Sequence, residues 1–336
     1  MNKYIVGLDS IRFLAAAWVV FAHAGTFPIF QEVDKSNFLE WLGNGIYTNL
    51  FSGPAAVIVF FVISGFVIHA PYYSGKEFNL KEFYVRRFLR ISCPLIVAII
   101  LAVPLDVSFS FFEVSIVWSL FAEVIYYLLY PVIRTIKSHV SWKSFLGTSF
   151  LISFLVVLTN PTAGDYPSYG ISLNWLLGLP CWLLGCYLAE TKWKDYQISN
   201  RQDLFFSLNI WRLFVLFSSS FCCFLRGSTF IGYPWTLNLF AVLVFFWLRK
   251  EILYFNYSSG TSNKSLEKLG GFSYSLYLTH LLSLKMLSSS GLLVYGQRIN
   301  WIIEIGFILG FSYFFYLIIE SPSHKISRSV ARRLRT

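Results

Sequence analysis

Ten apolar runs, each near the length of a bilayer crossing, leave this chain little choice of fold. They lie at roughly 8–28, 51–70, 91–105, 114–133, 145–159, 171–189, 205–225, 232–249, 272–290 and 299–319. Backbone in hydrocarbon must satisfy its own N–H and C=O groups, which a continuous apolar run does as a helix. The expected class is all-α: a polytopic membrane bundle of about ten transmembrane helices, forming a single domain over residues 1–336. Only 13% of residues are charged, against about 25% in soluble domains. The third and fifth runs are short for a bilayer, and Pro94 and Pro104 suggest that the third is tilted, broken or buried.

Lysine and arginine set the expected orientation. With the N-terminus inside, the inner segments, counting Arg12 at the inner end of the first run, hold 22 of the 27 cationic residues. The outer connectors hold Lys35, Arg226 and Arg298, and Arg212 and Lys285 fall within runs. This asymmetry predicts an integral membrane protein, with both termini cytoplasmic and a bacterial inner membrane as its setting. It also accounts for the net charge of +10 without a nucleic-acid partner. Lys3, the apolar stretch 13–21 and Ala22-His-Ala24 resemble a signal peptide as well. Asp9 and Arg12 intrude on that pattern, and cleavage would invert the second run against the charge count. The first run is therefore read as a span. The 5 cysteines have neither disulfide nor metal-ligand spacing, and packing is their expected role.

Ionisable groups inside the apolar runs are costly and mark candidate function. Arg12 and His23 lie eleven residues apart in the first run, which places them on one helical stripe about 16 Å apart. His23 is the candidate base, because imidazole titrates near neutrality. Asp9 is spaced to pair with Arg12 along the helix. Arg87 and Arg90, with Arg86 beside them, form a cationic face suited to phosphates or to anionic lipid. In the fourth run Ser119, Glu123, Tyr127 and Tyr130 form a polar stripe. Glu123 needs a partner there, and Arg12 or His23 are the expected ones. Ser273, Tyr277 and His280 share a face of the ninth run, and His280 suits either a packed histidine or a second acid–base group. His69, His139 and His324 lie at run ends or in connectors and receive no role.

Taken together, these segments resemble the acyltransferase-3 family of integral-membrane acyltransferases. The resemblance rests on Leu8-Asp-Ser-Ile-Arg12 with its spacing to His23, Phe60-Phe-Val-Ile-Ser-Gly-Phe66, and Arg87-x-x-Arg90. It continues through Trp118-Ser-Leu-x-x-Glu123 with Tyr127, Ser273-Tyr-Ser-Leu-Tyr-Leu-Thr-His280, and Glu320-x-Pro322. It implies a ten-helix domain that moves an acyl group, acetyl foremost, from cytoplasmic acyl-coenzyme A to a sugar hydroxyl. The acceptor would be a cell-surface polysaccharide, lipopolysaccharide O-antigen or lipid-linked oligosaccharide precursor. The coenzyme would be a donor substrate, with no permanently bound cofactor and no metal. By this resemblance Arg12 and His23 are essential, Arg87 and Arg90 contact the coenzyme, and the chain is like the stand-alone members. Glu123 would orient His23 or neutralise Arg12, with His280 as a second acid–base candidate. Two alternatives stay open: a glycolipid flippase or polysaccharide transporter, and a transferase of succinyl or longer acyl groups.

Overall fold

The computed structural model describes residues 7–29, 37–105, 107, 113–191, 201–257 and 263–334. These are helical, with no strand among the described residues. The helices are α1 (Leu8–Ala24), α2 (Phe38–Thr48), α3 (Gly53–Tyr73), α4 (Leu80–Ala102), α5 (Trp118–His139), α6 (Trp142–Thr159) and α7 (Gly170–Glu190). There follow α8 (Arg201–Ser228), α9 (Tyr233–Tyr257), α10 (Lys264–Gly270), α11 (Ser273–Ser289), α12 (Gln297–Phe315) and α13 (Ser321–Arg333). Each of the ten apolar runs coincides with one of these helices. By length and composition, 7 helical stretches among the described residues can cross a membrane. Two further runs correspond to α1 and α11, which have 17 residues each. The remaining one, α9, carries Arg249, Lys250 and Glu251 in its last turns.

The third run is not short. Helix α4 starts at Leu80, where the side chain of Asn79 accepts the Glu82 N–H at 3.0 Å. The arginine-rich turns read as a connector are therefore its first three turns, and Pro94 is accommodated inside it. Residues 106 and 108–112, within the next connector, lie outside the described set.

The chain divides into two compact units. The first comprises residues 1–15, 54–78 and 118–270. Its centre is α7, which packs on α5, α6 and α9. Glycine lets it approach α3 at backbone distance. A Cβ built on Gly185 would stand 2.0 Å from the Val62 carbonyl oxygen, and one on Gly65 would stand 2.0 Å from that of Trp182. Small residues are how helices gain contact in lipid, where no hydrophobic drive presses them together. Trp182 and Tyr126 are fully buried beside this seam, with ring centroids 5.6 Å apart. A buried carboxylate of this unit is paired. Arg212 donates to both oxygens of Glu251 at 2.7 and 2.9 Å, and Trp247 Nε1 donates to the same carboxylate at 2.9 Å. All five cysteines are free.

The second unit comprises residues 16–53, 79–117 and 271–336. Here α11 packs on α12 and α4, and α13 packs on α4. The π-helical turn Tyr316–Glu320 joins α12 to α13 and places Glu320 in the interior. Its carboxylate accepts the Ser275 N–H at 3.0 Å and the Ser275 hydroxyl, satisfying first-turn donors of α11. Ser323 Oγ donates to the Leu89 carbonyl at 2.8 Å, and the buried small stripe Ser323, Ser327 and Ala331 lies along α13.

Candidate active site

The second unit brings two of the sequence candidates into contact. Helix α1 stops one residue after His23, because Gly25 adopts φ +81° and turns the chain left-handed. The following segment is tied down by its own carbonyls. Trp301 Nε1 donates to the Gly25 oxygen at 2.9 Å, and the Tyr47 hydroxyl donates to the Phe27 oxygen at 2.9 Å. His23 is thereby held at the end of its helix and exposed, while His280, eight residues into α11, is fully buried.

The direction of the contact follows from the partners. His280 Nδ1 lies 2.7 Å from the Tyr277 carbonyl oxygen. A carbonyl only accepts, so Nδ1 carries the hydrogen and Nε2 of the neutral ring carries the lone pair. His280 Nε2 faces His23 Nδ1 at 3.2 Å, and His23 Nδ1 also lies 3.0 Å from the Val19 oxygen. Both neighbours of His23 Nδ1 are acceptors, which assigns the hydrogen to Nδ1. The Nε2 of His23, on an exposed residue, is then left with the lone pair. The sequence showed each histidine on a helical face; it did not show that the second stands beside the Val19 carbonyl as an acceptor for the Nδ1 hydrogen of the first.

Arg87 and Arg90 are half-buried on α4. Arg86, beside them, donates to Glu82 at 3.1 Å. The Tyr274 hydroxyl donates to the carbonyl of Ile91, next to Arg90, at 2.9 Å. His280 lies six residues further along the same helix α11, about 9 Å along its axis. The cationic turn of α4 and the histidine pair are therefore joined through one helix, at two different levels.

The first unit holds the other candidates. Arg12 donates to Asp9 at 3.2 Å, the pair expected from their spacing. Ser10 Oγ donates to Glu267 at 2.8 Å, and Gly270 lets α10 rest directly on the Asp9 backbone. Glu123 was expected beside Arg12 or His23; the structure gives it hydroxyl partners instead. Ser64 Oγ donates to Glu123 Oε1 at 2.6 Å, and the Tyr127 hydroxyl donates to the same oxygen. Trp182 Nε1 donates to Ser64 Oγ at 3.3 Å. The physical reason is position: Ser64 is the polar residue of an apolar run on α3, one residue before Gly65, where the helices are closest.

A buried polar cluster in this unit went unassigned in the sequence. His69 Nε2 lies 2.8 Å from Glu190 and its Nδ1 lies 3.1 Å from the Tyr130 hydroxyl. Trp142 Nε1 donates to the other Glu190 oxygen at 2.7 Å, and Lys137 stands 3.8 Å from it. Four helix ends thus meet at one carboxylate. Local periodicity carries no trace of this, since His69 and Glu190 are 121 residues apart. The signal available was that each polar residue sits at the same end of its apolar run by the charge-based topology.

Residues 5–320 match the model of a family described as an acyltransferase domain. Compared with curated proteins and with solved structures, the chain has no significant match.

Proposed function

The chain belongs to the acyltransferase-3 family, and from that premise we propose that this membrane acyltransferase carries an acyl group, acetyl foremost, from cytoplasmic acyl-coenzyme A to a sugar hydroxyl. The acceptor is a cell-surface glycan, such as lipopolysaccharide O-antigen, or its lipid-linked precursor. The observation that carries the reading is the His23–His280 pair, an exposed histidine with a buried acceptor behind it.

His23 Nε2 takes the proton of the acceptor hydroxyl as its oxygen attacks the thioester carbonyl. The tetrahedral adduct collapses, the C–S bond breaks, and the coenzyme thiolate leaves. The imidazolium of His23 returns the proton to that sulfur, so the products are an acyl ester and the free thiol. Throughout, His280 Nε2 accepts from His23 Nδ1–H and disperses the transient positive charge. His280 is thus a positioning residue. Glu123, held by Ser64 and Tyr127, and Arg12, paired to Asp9, serve as polar supports of their own unit. The inner ends of the spans are placed in the cytoplasm of a bacterial inner membrane. The convergence of His69, Lys137, Trp142 and Glu190 supports placing those four ends on one side.

Two experiments test the assignment of parts. His280→Ala should lower kcat while leaving KM for the coenzyme nearly unchanged, since no bond to the donor is lost. His280→Gln, whose amide oxygen can accept from His23 Nδ1–H, should recover part of that loss. If Gln and Ala behave alike, His280 does not set the tautomer. Replacing Arg87 or Arg90 by Ala should raise KM for acyl-coenzyme A in inserted, correctly assembled protein. Lys should rescue only in part, because an ammonium lacks the guanidinium fork. Equal coenzyme affinity in the double Ala variant would reassign both arginines to lipid headgroups.

A further inference from the structure

Helix α2 is built inside out. Its large apolar side chains, Phe38, Leu39, Trp41, Leu42 and Ile46, are exposed, with Leu39 reaching 77%. Glu40, Gly43, Asn44, Gly45 and Tyr47 are the half-buried ones. In water such a helix would turn over. Asn37 caps its first turn by accepting the Leu39 and Glu40 N–H groups, and its last turn is held in place by the Tyr47 hydroxyl, which donates to the Phe27 oxygen. The helix contains no lysine or arginine, and four residues after its last turn the chain enters the membrane span α3, whose apolar core supplies the 2.3 mean-hydropathy window of the stretch Phe38–Tyr73. The chain that follows α2 reaches His23 at the start of α3. Four residues after Asn49, a Cβ built on Gly53 would lie 3.7 Å from His23 Cε1.

We propose that α2 lies flat in the lipid headgroup layer, with its apolar face in the acyl chains, and so sets the depth at which His23 opens. Continuity with a membrane span argues for lipid as the occupant. So does the side-chain set: a phenylalanine and a tryptophan beside aliphatic anchors on one face, which suits a membrane interface. Resting on the acyltransferase reading above, this depth identifies the acceptor class. A sugar carried on a lipid is presented at the headgroup layer, level with His23, whereas a free glycan is not concentrated there.

The test is tryptophan quenching in phosphatidylcholine proteoliposomes. Subtracting the signal of Trp41→Phe from that of the full protein isolates Trp41 among the 11 tryptophans. The expected result is strong quenching of Trp41 by phosphatidylcholine brominated near the headgroup, weaker quenching when the bromines are deep, and little by aqueous iodide. A Leu39→Asp/Leu42→Asp variant should shift Trp41 toward iodide. Iodide quenching in the unsubstituted helix would overturn the proposal. So would protection from both quenchers, which would mean that another protein chain covers the face. Depth is read without acyl transfer, so failure here leaves the acyltransferase reading standing, and an inactive preparation leaves the depth measurement valid.

Discussion

His23→Ala should abolish acyl transfer. Loss of a positioned general base costs about 10²–10⁴ in rate. His280 touches His23, but it is fully buried and its Nδ1 is committed to the Tyr277 carbonyl. The substitution should leave assembly largely intact, because His23 is exposed and its bonds run to one backbone oxygen and one ring nitrogen. Coenzyme binding should also survive, since the arginines of α4 are untouched. Transfer rate and coenzyme affinity measured in the same membranes separate these effects. Near-normal transfer by His23→Ala, with an inactive His280→Ala variant, would place the base on the wrong histidine.

Gly185→Leu should prevent the first unit from assembling. A Cβ at this position meets the Val62 carbonyl oxygen at 2.0 Å and the Phe66 nitrogen at 2.8 Å, both backbone atoms of α3. No rotamer relieves a clash that begins at Cβ. Helices α3 and α7 must separate, which costs roughly 1–3 kcal/mol for overpacking and also opens the seam lined by Trp182. Separation pulls Ser64 from Trp182 Nε1 and exposes Cys186, whose thiol reaches the Gly65 carbonyl at 3.5 Å. The expected readout is a sharp fall in monodisperse, detergent-stable protein. Gly147→Leu, on a helix face with nothing within 4 Å, should be tolerated. Equal stability of the two variants would show that the seam is looser than described.

The helical class was legible because it depends on composition and run length, both local properties. All ten runs correspond to helices for that reason. The start of α4 was not, since arginines in its second and third turns read as a connector until the Asn79 cap is seen to carry the helix through them. Helix α2 was missed because an 11-residue amphipathic segment falls below the length of a span. Among candidate site residues, spacing was sufficient where both partners lie on one helix, as for Asp9 and Arg12. It was insufficient where partners are distant in the chain. Ser64 beside Glu123, and Glu190 beside His69, are decided by which helices a glycine seam or a shared carboxylate brings together.

The central claim is that this chain moves an acyl group from a coenzyme thioester to a membrane-associated sugar through His23. Membranes of the native host carrying either the wild-type chain or His23→Ala, supplied with carbon-labelled acetyl-coenzyme A, test it most directly by mass spectrometry of the extracted glycans and glycolipids. The account predicts labelled acyl ester on a sugar in the wild-type membranes, and none above the level of a deletion strain in His23→Ala. Equal labelling in both membranes, or label that stays on the coenzyme in both, would contradict it.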